Sequence, residues 1–433
     1  MAWEFFTDPE FQEKLDWVSA FVREEVEPLD LLWPHDRYKA LTDEQRVVVE
    51  PLKQAVRDQD LWACHLGPDL GGKGYGQLKL ALMNEQLGRS RWAPRIFGTQ
   101  APDTGNAEIL AHFGTDEQKA KYLQPLLDGE IFSCYSMTEP QGGADPGVFQ
   151  TRAERDGDEY VINGYKFFSS NARYAEFLIV MAVTDPEAGP YQGISMFVVP
   201  TDTPGVDIER NIAVFDEPDE EGSHALIHYD NVRIPVENRL GGEGQGFAVA
   251  QTRLGGGRVH HAMRTIGTCS RAFDMMCERA LSRSTKGGPL AEKQFVQGYV
   301  ADSWAELEQF RLLVLQTAWK IDKYQDYRKV RKDIAAIKVL IPKVINDVVG
   351  RAIQVHGALG ISNELILGSL FVGQFTLGFS DGPSEVHKVT AARQILKDYR
   401  PAPGLWPTDH IPTRRAEARA KVDAQLAAAG FDD

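Results

Sequence analysis

The sequence predicts an α+β protein whose helices and strands occupy separate stretches of a 433-residue chain. Three observations carry that prediction. Residues 1–130 mix charged and apolar residues between turn signals, as helices do. The next stretch holds short runs rich in β-branched and aromatic residues. Beyond Gly246, apolar stripes return at three- and four-residue spacing. Helices, then strands, then helices is the order of segregated layers rather than of alternating β-α-β units.

Within the first region, 1–130, the clearest punctuation is Leu70-Gly71-Gly72-Lys73-Gly74-Tyr75-Gly76, which reads as a turn between helices. The middle region, 131–240, contains Val161-Ile162, Phe177 to Val183, Ile194 to Val199 and Ala225 to Ile227, each bounded by Gly, Pro, Asn or Asp. Strands so closely spaced predict a small β domain, a barrel or a sandwich. In region 241–398, Leu307, Phe310, Val314, Ala318 and Ile321 form one apolar stripe. Ile334, Ile337, Ile341, Val344 and Val348 form a second, as expected of amphipathic helices in a bundle. Pro342 falls inside that second stripe, where a kink or a helix start is expected. Residues 399–433 begin proline-rich and continue rich in Ala, Arg and Glu, which predicts an extended arm and then a surface helix.

Composition limits the function. With 43% hydrophobic and 25% charged residues, the chain is of ordinary globular type. No apolar run approaches the ~20 residues that span a bilayer. The start, Met1-Ala-Trp-Glu-Phe-Phe-Thr-Asp, lacks the basic and apolar regions of a secretory signal, so a cytoplasmic location is expected. Cys64, Cys134, Cys269 and Cys277 form no C-x-x-C pair and are expected to be reduced and mostly buried. A formal net charge of −15 argues against a nucleic-acid binder, which normally offers phosphates a basic surface.

Two glycine-rich stretches, Gly71-Gly72-Lys73-Gly74 and Gly242-Glu243-Gly244-Gln245-Gly246, follow no clear strand of a β-α-β unit, so turns leading into helices are expected there rather than dinucleotide loops. No cluster has metal-ligand spacing; His260 and His261 are adjacent on a helix and diverge. A set of longer motifs in fixed order is more specific. It runs through Phe113-Gly114-Thr115-Asp116-Glu117-Gln118-Lys119, then Tyr135-Ser136-Met137-Thr138-Glu139-Pro140, with Gly142-Gly143-Ala144-Asp145 close behind. Ile162-Asn163-Gly164-Tyr165-Lys166-Phe167-Phe168-Ser169-Ser170-Asn171 and Val232-Arg233-Ile234-Pro235 follow. Arg283 with Gln294, Gln354-Val355-His356-Gly357 and Asp381-Gly382-Pro383 complete it. Over residues 60–398 the chain resembles the acyl-CoA dehydrogenase family.

The resemblance implies an N-terminal helical domain, a middle β-barrel domain and a C-terminal four-helix bundle. It implies a place in fatty acid metabolism, with FAD as cofactor and dehydrogenation of an acyl-CoA thioester to trans-2-enoyl-CoA as the reaction. Flavin contacts would come from Tyr135, Met137, Thr138, Phe168 and Ser170, because a buried flavin needs hydrogen-bond donors and an aromatic face. Phe168 stands where tryptophan is usual and Ser170 where threonine is. Arg283, Gln294, Gln354 and Gly357 would hold the pyrophosphate and adenine across a subunit boundary, arginine by bidentate pairing and glycine by close backbone approach. Arg283 and Gln354 are expected to reach FAD from different subunits of a homodimer or homotetramer. Lys286 and Ala358 depart from the aromatic and the glycine common at their positions.

Substrate contacts fall on Ala144 and Gly382. The base corresponds to Asp381, where the family usually has glutamate, with Arg258 beside it and Gly257 excluding a base on that helix. A proton α to a thioester is weakly acidic, so the carboxyl pKa is expected to rise towards the working pH in a dry cleft. The α proton would pass to Asp381, a β hydride to flavin N5, and electrons to an electron-transfer flavoprotein. If Gly382-Pro383 starts a helix, Glu385 points away. An acyl-CoA oxidase or a nitroalkane oxidase is the alternative on the same scaffold, the latter because it also uses an aspartate. A flavin-containing DNA-binding protein is the alternative from another class, opposed by the net charge; Asp381 opposes a scaffold without catalysis. The Asp-Gly-Pro-x-Glu-Val-His run and Gly257-Arg258-Val259-His260-His261 resemble a branch handling branched and 4-hydroxylated chains. Leu377-Gly378 lacks an arginine common there, so the acyl group stays open.

Overall fold

The computed structural model describes residues 7–68, 72–215, 217–219 and 221–431; Leu70 and Gly71 of the predicted turn lie outside them. The chain begins with α1 (Pro9–Phe21), capped by the Asp8 side chain, and passes through a π-helical turn into α2 (Glu27–Leu32). α3 (Asp43–Asp58) opens with a capping box between Thr42 and Gln45, which satisfies two otherwise unpaired N–H groups. Next come α4 (Gly76–Leu87), α5 (Ala93–Ile96), α6 (Asp103–Phe113), α7 (Asp116–Gln118) and α8 (Gln124–Asp128). A second capping box, Thr115 with Gln118, starts α7.

The middle of the chain is one seven-stranded sheet. Its strands are β1 (Ser133–Ser136), β2 (Arg152–Asp156), β3 (Glu159–Lys166), β4 (Phe177–Val183), β5 (Ile194–Pro200), β6 (Val206–Ile212) and β7 (His224–Pro235). β4 pairs in parallel with β1 and antiparallel with β5. It meets β2 only where Arg152 pairs with Val183, and from there β2, β3, β7 and β6 continue antiparallel. The sheet curls around a core that includes Ile162, Leu178, Phe197, Ile227 and Tyr229. Among the described residues no pairing joins β6 back to β5, so the barrel expected here is curled and open-edged. β4 is buried along both faces. Phe177, Ile179 and Met181 turn the other way, onto Leu110 of α6 and on Val249 further along the chain.

The C-terminal region carries α9 (Gly246–Ser282), the hairpin β8 (Ser284–Thr285) and β9 (Gly288–Pro289), α10 (Gln294–Tyr324), α11 (Arg331–His356), α12 (Leu367–Phe379), α13 (Ser384–Leu396) and α14 (Ile411–Ala428). Both stripes read from the sequence are buried. One core joins them to Val18, Leu80 and Met83 of the N-terminal helices. α11 runs unbroken through Pro342, so no helix starts there. The fourth helix of the expected bundle comes in two pieces, because α12 and α13 both pack on α11. The break between them, Ser380 to Pro383, contains Asp381. α14 is exposed along its whole length. Among the described residues no helix is long and apolar enough to cross a membrane. The cysteines are free; Cys64, Cys134 and Cys269 are buried.

Candidate active site

Asp381 occupies the turn between α12 and α13 with a left-handed backbone, φ +56°, followed by Gly382 at φ +101°. Asp is one of the few side chains that tolerate this region. Its carbonyl accepts hydrogen bonds from Arg258 Nε at 3.0 Å and His387 Nε2 at 3.2 Å. Its carboxylate lies 3.4 Å from Arg253 Nη1 and 3.5 Å from His261 Nε2. Its own N–H has no partner among the described residues. Arg258 therefore fixes the loop rather than the carboxylate. The turn is an Asp-Gly turn and also presents a carboxylate inward. Glu385, in the first turn of α13, is exposed.

The electrostatics reverse one expectation. Burial pushes the Asp381 carboxyl up, but Arg253, His261, Arg258 and Lys338 outweigh it and hold the group below the usual carboxylate range. The expected rise towards neutral pH does not occur, because the cleft that excludes water is lined with cations. His261 is itself neutral at pH 7, since burial lowers its imidazole to about 4, so at that pH the positive charges facing Asp381 are those of the arginines and Lys338. Lys338 is fully buried and donates to the Leu377 carbonyl; burial brings its ammonium down to about 8.

A second carboxyl, Glu108 on α6, lies on the same side of α9. Burial pushes it up to about 8 against the pull of Arg253, and it makes no hydrogen bond among the described residues. Three glycines make room for these groups. A Cβ at Gly105 would stand 2.4 Å from Arg253 Cγ, one at Gly256 2.9 Å from Glu108 Oε1, and one at Gly257 2.9 Å from Asp381 Oδ2.

Beside this cluster, the end of β1 and the segment after β3 form a ledge. Phe167 N–H donates to the Thr138 carbonyl at 2.8 Å, and Tyr135 bridges Ser170. Tyr135, Met137 and Thr138 are partly open on one segment, and Phe168 is 43% exposed on the other. Phe168 and Asn171 both have left-handed backbones, φ +53° and +67°; Asn tolerates this region, whereas for Phe168 it is a strain of about 1–3 kcal/mol that persists only where surroundings enforce it. Ser170 Oγ is hydrogen-bonded to His224 Nδ1 at 2.9 Å. The ledge is fastened from behind by a buried ion pair: Lys166 Nζ lies 2.8 Å from both Glu139 Oε1 and the Met137 carbonyl. The Arg253 guanidinium sits 4.1 Å from the centre of the Tyr135 ring and so links the ledge to Asp381. Ala144 is exposed, in the loop after β1.

The remaining predicted contacts lie elsewhere. Arg283, Gln294, Gln354 and Gly357 are all exposed, and a Cβ at Gly357 would be 3.4 Å from Arg283 Nη1. Arg283 and the end of α11 that carries Gln354 thus form one patch of one chain, contrary to the expectation that they reach FAD from different subunits. From Arg258 to Arg283 the chain follows α9 for roughly 37 Å of helix.

Sequence profiles described as the acyl-CoA dehydrogenase N-terminal, middle and C-terminal domains match residues 8–130, 134–216 and 244–396. This chain belongs to the acyl-CoA dehydrogenase family. Acyl-CoA dehydrogenase FadE2 of Mycobacterium tuberculosis is 45% identical to it over 81% of this chain and 86% of that protein. Acyl-CoA dehydrogenase family member 11 of Gallus gallus is 42% identical over 91% of this chain, which spans only about half, 51%, of that relative. Among solved structures, an acyl-CoA dehydrogenase from Mycobacterium abscessus matches with a TM-score of 0.84 and 38% identity, over 91% of this chain and 100% of that one. PigA with FAD and proline matches with a TM-score of 0.79 and 25% identity, over 91% and 99%.

Within this acyl-CoA dehydrogenase family member, the sequence pointed to Asp381 and Arg258 but not to Arg253, His261, Lys338 or Glu108. His261 diverges from His260 as helix geometry requires, and it is the one that reaches Asp381. Glu139 and Lys166 stood inside the quoted motifs without a role. Only the Gly-Gly-Gly run in α9, costly in a helix, signalled that something large presses against it.

Proposed function

We propose that the protein is an FAD-dependent acyl-CoA dehydrogenase that converts an acyl-CoA thioester to a trans-2-enoyl-CoA, with Asp381 as the base. One observation carries this reading: an ionised, inward-facing carboxylate is joined through Arg253 to a ledge offering an aromatic face and hydroxyls. That ledge fits a flavin, with Phe168 presenting the face and Thr138 and Ser170 the hydrogen-bonding groups. Bound FAD would supply the acceptor for the β hydride.

Asp381 would take the α proton. The cations around it keep it ionised at neutral pH, and the water-poor cleft favours proton transfer once substrate fills it. Arg258 and His387 hold the loop by its carbonyl, and the Asp381 N–H, unpartnered among the described residues, would donate to the thioester oxygen, where negative charge develops. Gly382 and Ala144 border the space for substrate. The Arg283 patch would hold the pyrophosphate and adenine of a cofactor seated on another copy of the chain, in a homodimer or homotetramer, as the family resemblance implies. Electrons would leave to an electron-transfer flavoprotein.

The test is single-turnover flavin bleaching by a series of CoA esters. Asp381→Asn should keep FAD and lose turnover by roughly 10²–10⁴-fold, the range of a general base. A folded, colourless protein that takes up no FAD sinks the reading. Rapid oxygen consumption without an added acceptor would instead select an oxidase.

A further inference from the structure

Three cationic side chains and two histidines surround Asp381, and they do different things. Arg258 on α9 and His387 on α13 bind its carbonyl. Lys338 on α11 spends its ammonium on the Leu377 carbonyl. His261 on α9 is neutral at pH 7. Among the described residues Arg253 alone brings a permanent charge to the carboxylate itself, at 3.4 Å. Its guanidinium carbon also lies over the Tyr135 ring, 4.1 Å from its centre, a cation–π contact Arg makes more readily than Lys. Its stem passes where Gly105 has no side chain. The other carboxyl within its reach, Glu108 on α6, is neutral at pH 7 because burial raises it to about 8. Among the described residues Arg253 therefore has one ionised partner, and Asp381 has one permanent cation on its carboxylate.

We propose that Arg253 is the positioning residue of the base, a strut that holds the Asp381 carboxylate against the β1 ledge in its proton-accepting form. This rests on Asp381 being the base. An opposite charge at this range lowers a carboxyl pKa by about 1–3 units, so its removal should let burial dominate. Tyr135 packs against the guanidinium, which couples the base's position to the ledge.

The experiment is an infrared titration of the protonated-carboxyl band that disappears in Asp381→Asn, run on wild type, Arg253→Met, Arg253→Lys and Gly105→Ala. Arg253→Met keeps the stem and removes the charge; it should raise the midpoint by about one unit or more. The acidic limb of single-turnover flavin reduction should move with it. Arg253→Lys should shift the midpoint less, while still slowing reduction because the guanidinium contact with Tyr135 is lost. Gly105→Ala leaves Arg253 in the chain but drives it aside, and should shift the midpoint in the same direction; it decides the matter if Arg253→Met does not fold. A midpoint and acidic limb unchanged in Arg253→Met or Gly105→Ala, whatever the loss of rate, would leave Arg253 merely structural and overturn the proposal. Normal turnover in Asp381→Asn would instead remove Asp381 as the base, a failure of the function reading that these midpoints register separately.

Discussion

A methyl group on Gly257 would stand 2.9 Å from Asp381 Oδ2, inside the distance at which carbon and oxygen pack. The helix gives up stability at this position so that the carboxylate can lie against its backbone. Gly257→Ala should raise helix propensity by about 1 kcal/mol and displace the carboxylate by about 1 Å, a shift that can cost about 100-fold in rate. Thermal unfolding and single-turnover reduction, measured together, should move in opposite senses. Unchanged reduction would mean that the carboxylate has room to give way.

Asp381 also depends on its backbone. At φ +56° aspartate is tolerated where longer side chains are strained. Asp381→Glu should therefore lose activity both by strain and by the added methylene, retaining a partial rate with FAD content unchanged. Glu385→Gln should leave turnover near wild type, because Glu385 is exposed on α13. If Glu385→Gln abolished flavin reduction while Asp381→Asn did not, the assignment of the base would fall.

Glu108 makes a prediction about stability. Its carboxyl rises from 4.5 to about 8 on folding, so the native state holds a proton that the unfolded chain has released across that window. Stability should fall as pH rises through the window. Glu108→Gln removes the effect and should stabilise the protein at pH 7 by up to about 3 kcal/mol, with a flatter pH profile in urea unfolding. An unchanged slope between about pH 5 and 8 would show Glu108 to be ionised in the folded protein.

Lys166 and Glu139 are 0% and 1% exposed and bonded at 2.8 Å. Removing one partner strands the other charge in the interior. Lys166→Met should cost about 3–5 kcal/mol and weaken FAD retention, since the same ammonium holds the Met137 carbonyl. The double variant Lys166→Met/Glu139→Gln should recover much of the stability but not the FAD retention. Equal stability of single and double variants would contradict a tightly coupled pair.

The strands legible in the sequence were those buried on both faces or in the core. Phe177 to Val183 is β4 and Ile194 to Val199 lies within β5, because an unbroken apolar run can serve two cores at once. β2, Arg-Ala-Glu-Arg-Asp, buries only Ala153, and β6 carries Asp, Glu, Arg and Asn; neither has enough apolar residues to announce a strand. The helical stripes were legible because each faces one core. Asp381 was reachable only through family resemblance, since an Asp-Gly pair ordinarily marks a turn. Of its neighbours only Arg258 was legible: Arg253 and Lys338 reach Asp381 from α9 and α11, Glu108 of α6 lies by Arg253, and packing alone brings these groups together. That cationic company is also why the direction of the pKa shift could not be foreseen from burial.

The length of α9 has a genetic consequence. If each cofactor rests on the ledge of one chain and the Arg283 patch of another, a lesion at Asp381 and a lesion at Arg283 damage different halves of any site. Chains carrying Asp381→Asn and chains carrying Arg283→Glu would each be inactive alone. Mixed within one oligomer, they assemble one site bearing both lesions and another bearing neither, so two null alleles would complement each other in trans.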